Sequence, residues 1–339
     1  AQDYDNSYIN DWLNNYFYPK LKNKDLLINS TWCSEKSNDF NSKRTTCTNN
    51  LSKVQKTVGL LSTDEYNLAN RNLSYLVNSQ HYWTLTPQAT GYVYIVNVTG
   101  PTNFYPCSNS YGVRPVINLI DSTTISSGTG TLQDPFIIED RSVTGNLNEH
   151  SLIGEYVTYA GRNYRVVETS SLGTKLILDG YYDSNNDGVI EESDKKAYGI
   201  INDECTLCKE VNEESFINWI SNNSEIDKSK LSSITWYYSD MRWGDNYKKS
   251  LENTFEYSGR VGLIRIGEIL SSHSQTITSK IHYWTSTISN GFYAWKIQGG
   301  GDSTNVSVEG LNAVRPVINI GPDVQILGGN GTFNSPFQI

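Results

Sequence analysis

The chain has 339 residues, a net charge of −9 and a pI near 5.0; 37% of its residues are hydrophobic, with Tyr (23) and Trp (8) abundant and a single Met. The acidic balance offers no basic face for phosphate and argues against a nucleic-acid or anionic-membrane partner. No apolar run approaches the roughly 20 residues of a membrane span. The length suits two domains of ordinary size, and the Tyr-rich, Asn-rich composition points to a secreted protein.

Apolar Tyr8, Ile9, Trp12, Leu13 and Phe17 recur at helical spacing and predict an amphipathic helix over 7–19. Cys33 and Cys47 flank a polar loop, SEKSNDFNSKRTT, and are expected to form a disulfide that closes it. VGLLSTDEY (58–66) predicts a strand followed by a short helix at 63–70, and GYVYIVNV alternates as a strand does. GVRPVINL (112–119) reads as a further strand, with loops rich in Gly, Ser and Thr at 121–134. The stretch EDRSVTGNLNEHS is expected to be a linker over 141–151, dividing a domain at 1–140 from one at 152–339. GEYVTYAGRNYRVVE is two alternating runs around Ala160-Gly161, a hairpin signal, and TKLILDG is a buried strand.

Cys205 and Cys208 form a CxxC. A zinc half-site, a redox motif and a local disulfide are the candidates. The four histidines lack metal-ligand spacing, and no βαβ pattern surrounds the motif, so the disulfide is favoured. EVNEESFINWIS (210–221) predicts a helix, 266–272 a second short one, and FYAWKIQ a strand. AVRPVINI (313–320) then repeats the earlier line.

That repeat is not an isolated word. At a constant offset of 201, residues 81–138 and 282–339 share 20 identities in 58 positions, including HYWT at both His81 and His282. Farther back the offset drifts: VGLLSTDEY faces VGLIRIGEI, STW (30–32) faces ITW (234–236), and SYINDWL (7–13) faces SFINWI (215–220). A period this long means two tandem domains rather than a solenoid. Each VRPVIN carries an arginine, Arg114 or Arg315, on the phase opposite its apolar residues. A buried guanidinium needs a partner, and Glu65 and Glu268 in the other recurring line are the expected ones.

HYWTSTISNGFYAWKIQGGG followed by NAVRPV, with VGLLSTDE and VGLIRIGE ahead of it, resembles bacterial C-type-lectin-like domains. The branch is that of formylglycine-generating enzymes and surface variable proteins, in tandem copies as on low-GC Gram-positive surface proteins. The resemblance implies an α+β fold: two C-type-lectin-like domains, each a small twisted antiparallel sheet with two helices and long loops. It also implies that the first and last strands of a domain pair. The first domain opens almost directly on its helix, without counterparts of GEYVTY and TKLILDG. Two explanations stand: the chain is a fragment, or a neighbouring subunit donates a strand.

DSNNDGVIEESD (183–194) matches the twelve-residue calcium loop of EF-hand and dockerin type. Asp183, Asn185 and Asp187 fall at positions one, three and five, Gly188 at the sharp turn, the Val189 carbonyl at seven, Ile190 inward at eight, and Asp194 at twelve. The expected cofactor is one structural Ca2+. The carbohydrate-binding calcium words of animal lectins, EPN, QPD and WND, are absent, so fold analogy does not license sugar binding.

The expected function is a non-catalytic extracellular surface module, an adhesin or ligand-binding domain. Its partner would be a protein or glycan at a cell surface, or copies of the chain itself in a pilus-like filament. The stretches between HYWT and VRPVIN diverge most, and Tyr92, Tyr94, Phe104, Tyr105, Tyr293 and Trp295 within them are the ligand-binding candidates. A formylglycine-generating enzyme is disfavoured because that chemistry needs paired cysteines. Only Cys107 lies in the right place in the first copy, and Val308 stands there in the second.

Overall fold

A computed structural model describes residues 4–339 except 70–75, 78–79, 122, 132–133, 139–143, 202–203, 246, 270–280 and 300–302. The expected helix at 266–272 lies partly outside the described residues, as does the start of the expected linker. The chain divides into one unit of Ala1–Thr123 with Gln298–Thr304 and another of Thr124–Ile297 with Asn305–Ile339. Helices and mostly antiparallel strands in several small sheets make the fold α+β.

In the first unit Ser7 caps the opening helix by accepting from the Asn10 N–H, and helical backbone continues from Tyr8 to Lys20. Strand Ser30–Cys33 pairs with Lys53–Lys56, and Val58–Leu60 pairs antiparallel with Pro115–Ile117. Ser62 and Glu65 form a reciprocal capping box that starts helix Thr63–Leu68. A meander of Tyr82–Ala89, Tyr92–Val96 and Thr102–Pro106 completes the unit.

The second unit repeats these pairings. Ile234–Asp240 pairs with Phe255–Gly259, Val261–Gly262 with Val317–Ile320, and Tyr283–Ser289 with Tyr293–Ile297. It adds a three-strand meander, Tyr156–Tyr159, Arg162–Ser170 and Gly173–Leu178, turned at Ala160 and Gly161 in left-handed backbone. Gly173–Leu178 takes the outer edge of Val317–Ile320, and Phe337–Gln338 at the far end pairs parallel with Tyr156–Tyr159. The result is a six-stranded sheet with VRPVIN inside it. The last strand of this unit therefore lies beside the opening strand of its meander. In the first unit the same line pairs on one side only, among the described residues, so it is not central there.

The duplication reaches individual hydrogen bonds. The Trp32 indole donates to the Lys56 carbonyl at 2.8 Å, and Trp236 to that of Gly259 at 2.8 Å. A Cβ on Gly59 would stand 2.4 Å from Trp32, and one on Gly262 2.4 Å from Trp236, so VGL needs its glycine twice. Thr84 and Thr285 donate to the carbonyls of Tyr94 and Trp295 at 2.8 and 2.7 Å. Asn14 donates to the carbonyls of Asn10 and Val58; Asn212 donates to those of Cys208 and Val261. The counterpart of the first helix is thus Thr206–Glu210, capped by the Cys205 sulfur, rather than the SFINWI helix, Glu214–Ile220. The capping side chain and the asparagine set the true register, and neither lies in the apolar pattern.

Gly145–Asn146 pairs with Gln325–Ile326, and Leu147 is fully buried in the main core of the second unit. Residues 145–151, expected as linker, therefore belong to that unit, which begins ahead of Leu152. Its core gathers Tyr159, Tyr164, Tyr198, Leu207, Trp284, Ile318 and Phe337.

Candidate functional site

The 183–194 loop follows strand Gly173–Leu178, and it folds around its own acidic side chains. Asp183 is buried and accepts from the N–H groups of Asn186 and Gly188, both at 2.8 Å. Asn185 accepts from Asp187 N–H at 3.1 Å, and Asp187 from Val189 N–H at 2.8 Å. Gly188 has φ +83 with open space where a Cβ would stand, so the turn needs its backbone freedom rather than its small size. Ile190 packs beside Tyr283, Ile297 and Ala313, inward as expected. The Trp219 indole donates to the Asp183 carbonyl at 2.6 Å and tethers the loop to helix Glu214–Ile220.

Asp194 is fully buried and closes the loop through the backbone. One carboxylate oxygen accepts from the Ser184 N–H at 2.8 Å and hydroxyl at 2.6 Å; the other accepts from Glu191 N–H at 3.0 Å. Burial pushes this carboxyl up, but the hydrogen bonds from Ser184 and Glu191 outweigh it and hold it below its ordinary value. The donor set is all oxygen and fits a hard cation in kind. Asp183, Asp187 and Asp194 do not bring their carboxylates within 4.8 Å of one another as a set. Among the described residues only Cys33, Glu35 and Cys47 do so, around a disulfide.

Cys33–Cys47 and Cys205–Cys208 both stand as disulfide pairs, with Cα atoms 5.6 and 5.2 Å apart, and Cys107 is free and exposed. The expected arginine partners do differ. Arg315 donates to the Leu178 carbonyl at 2.6 Å, lies 3.7 Å from Asp179 and sits over the Tyr283 ring. Glu268 instead pairs with Arg265 and faces Lys175. Arg114 sits over Tyr82 and donates to the Leu76 carbonyl at 2.9 Å, while Glu65 serves the capping box. The recurring glutamate starts a helical turn in both copies; the recurring arginine holds chain on the far side of its strand.

The aromatic candidates separate by burial. Tyr94 and Trp295 are core residues, covered by Phe40 and Trp243 respectively, and cannot meet a ligand. Tyr105 is half-buried against Tyr111. Tyr92 and Tyr293, 41% and 45% exposed, remain on the surface. Two further aromatic residues of the second unit are exposed: Phe292, next to Tyr293 in sequence, and Trp243, 75% and 58% exposed. The Trp243 ring lies parallel to buried Trp295, 5.7 Å between centroids and 3° between planes. Trp295 is fixed by its indole bond to the Met241 carbonyl at 2.6 Å, and Met241 N–H donates to Ile288 beside the Asn290–Gly291 turn. In the first copy Phe40, 39% exposed, sits edge-on to Tyr94, the counterpart of Trp295, at 5.4 Å; it is one residue out of register with Trp243, so gapless repeat matching does not pair the two.

The first unit contains a cleft of about 270 Å3 lined by Tyr4, Tyr8, Leu60, Trp83, Val93 and Cys107, among others. No family model matches the chain, and neither a curated protein nor a solved structure matches it.

Proposed function

We propose that the chain is a non-catalytic ligand-binding module of an extracellular surface protein, built from two C-type-lectin-like domains. The observation that carries this reading is Trp243, 58% exposed and stacked on the buried ring of Trp295. An exposed indole backed by a second ring keeps its orientation without a bound partner, and a flat apolar face of that kind suits the face of a sugar ring or an apolar side chain. A glycan is the favoured ligand, bound by stacking rather than through calcium. The two disulfides support an oxidising, extracellular setting. Among the described residues no helix is long and apolar enough to cross a membrane. With the other four cysteines paired, Cys107 has no second thiol for paired-cysteine chemistry. The 183–194 loop would bind one calcium ion through Asp183, Asn185, Asp187, the Val189 carbonyl and Asp194, and stiffen the second unit.

Binding to a panel of immobilised bacterial and host glycans tests the reading. Trp243→Ala should weaken binding at least tenfold while leaving the thermal midpoint in place. A glycan ligand held equally well by Trp243→Ala, or a panel without any binder, would remove this reading. A second reading, a filament subunit joined by strand addition, is favoured by the one-sided pairing of Pro115–Ile117.

A further inference from the structure

Each unit covers a buried ring of the same strand with an aromatic side chain from the same loop. In the second unit the loop follows Ile234–Asp240, Met241 N–H donates to the Ile288 carbonyl at 2.9 Å, and Trp243 lies over Trp295. In the first unit the loop follows Ser30–Cys33, Ser37 N–H donates to the Pro87 carbonyl at 3.2 Å, and Phe40 stands edge-on to Tyr94 at 5.4 Å. Pro87 and Ile288 are repeat partners, 201 apart, as are Tyr94 and Trp295. The ring falls one residue later in the first loop, yet both loops bring an exposed ring to the same place.

The Phe40 loop is fixed from helix Thr63–Leu68. Asn67 Nδ2 donates to the carbonyls of Phe40 and Ser42 at 3.0 and 2.8 Å. Asp64 accepts from Arg44 N–H at 2.9 Å and pairs with its guanidinium at 2.9 Å. Phe40 lies 5.9 Å from Phe104 with planes 29° apart, and Tyr92 meets Phe104 edge-on at 6.1 Å. Phe40 and Tyr92 are both exposed, so two surface rings share one half-buried ring. Polar groups stand beside them. Asp39 is exposed and accepts from Asn41 N–H at 2.8 Å, as Asp245 near Trp243 accepts from Arg242 N–H at 2.8 Å. The Tyr94 hydroxyl is buried with no hydrogen-bond partner, close enough to Asp39 that this charge, after burial, pushes its ionisation up. Trp295 has the Met241 carbonyl as partner in the second unit. A buried hydroxyl without a partner is unfavourable, and a ligand hydroxyl seated beside Asp39 would supply one.

We propose that the first unit binds a neutral glycan on Phe40, Phe104 and Tyr92, which gives the chain two sites of one chemistry. This rests on the glycan reading of Trp243 and extends it to different residues of the other unit. The exposed rings suit the C–H face of a pyranose, and the aspartate beside each platform accepts hydrogen bonds from sugar hydroxyls. The same carboxylates, with the net charge of −9, repel uronic and sulfated sugars, so the ligand is uncharged. An apolar peptide would cover the rings but leave Asp39 and the Tyr94 hydroxyl unmatched.

The test is calorimetry on the full chain with three neutral hexasaccharides, of glucose, of mannose and of N-acetylglucosamine. At least one should bind with two sites per chain. Tyr92→Ala, at a surface position, should leave one site and an unchanged thermal midpoint. Phe40→Leu should do the same, since it keeps apolar cover over Tyr94 and removes the ring. Trp243→Ala should leave the other site, and Trp243→Ala combined with Tyr92→Ala should leave none. Hexagalacturonate, an acidic sugar of the same length, should bind at least tenfold more weakly. A single site that is lost in Trp243→Ala and kept in Tyr92→Ala overturns the proposal and leaves the Trp243 reading standing. Two sites that persist in both Tyr92→Ala and Phe40→Leu overturn it as well. A single site with the opposite response supports the proposal and removes the Trp243 reading. Hexagalacturonate binding as tightly as the neutral sugars overturns the proposal, and no binding of any of the three hexasaccharides overturns both.

Discussion

Asn212 holds Val261 by both ends of its amide: Nδ2 donates to the Val261 carbonyl at 2.7 Å and Oδ1 accepts from its N–H at 3.0 Å. Asn14 does the same to Val58, at 3.0 and 3.2 Å. Each side chain ties a helical segment to the strand that opens VGL, Asn14 from within its helix and Asn212 from just past the end of Thr206–Glu210, where the partner residues are buried. Asn212→Ala leaves a donor and an acceptor without partners, at about 1–3 kcal/mol each. Urea unfolding should show a loss of at least about 2 kcal/mol for Asn212→Ala. A midpoint unchanged within error would show that the bridge contributes nothing.

Acid should weaken the second unit through Glu268. Burial pushes this carboxyl up, but the charges of Lys175 and Arg265 and the hydrogen bonds from Arg265 prevail and hold it down at about 2, from an ordinary 4.5. A carboxyl depressed in the folded state adds stability that is complete above its unfolded pKa and is lost as pH falls through the folded one. The contribution should therefore fade between pH 4.5 and about 2, and amounts to roughly 3 kcal/mol. Glu268→Gln should be less stable at neutral pH and should flatten that part of the pH profile. Parallel pH profiles for the two proteins would rule the assignment out.

Calcium binding has a spectroscopic handle, because the Trp219 indole donates to the Asp183 carbonyl at the head of the loop. Terbium added to the full chain should give indole-sensitised emission that calcium displaces. Calorimetry should find one calcium site with Kd on the order of 10⁻⁴–10⁻³ M. Asp183→Ala should abolish both signals. No heat at millimolar calcium would end the calcium reading.

The Cys33–Cys47 bridge closes a loop with a sequence separation of 14 and should stabilise the first unit by about 3 kcal/mol in the chain-entropy model. Replacing both cysteines by serine should lower the unfolding free energy of that unit accordingly. Cys205 and Cys208 are only 3 apart in sequence, and their bridge should contribute less. An equal loss for the two double variants would contradict the loop-length argument.

Elements whose signal is local were legible in the sequence. The hairpin around Ala160-Gly161 and the short strand Gly173–Leu178 follow from alternation and turn residues, and both form, whereas Glu65, expected as the partner of Arg114, caps a helix instead. Both disulfides also form as read. The partner of Arg315 was not legible. Asp179 lies 3.7 Å from it across the strand pair, and no spacing rule connects residues so distant in sequence. Burial along the strands was half legible. Alternation puts Tyr293 and Trp295 on one face, yet only Trp295 is buried, because Trp243 covers it, and that depends on where the loop after Ile234–Asp240 travels.

The repeated hexapeptide also makes this chain its own reference for hydrogen exchange. VRPVIN has the same side chains at 113–118 and at 314–319, so the interior amide protons of the two stretches share their intrinsic chemical exchange rates. One copy is flanked by strands on both edges and buried; the other is flanked on one edge and partly exposed, among the described residues. Any difference in deuterium uptake between them comes from the fold around them. Temperature, pH and concentration are identical for both, and no substitution is needed. Peptic fragments remain distinguishable because Gly112 and Leu119 flank one copy where Ala313 and Ile320 flank the other. The ratio of the two uptake rates measures directly how much protection a strand and its buried surroundings gain when a second neighbour closes over them.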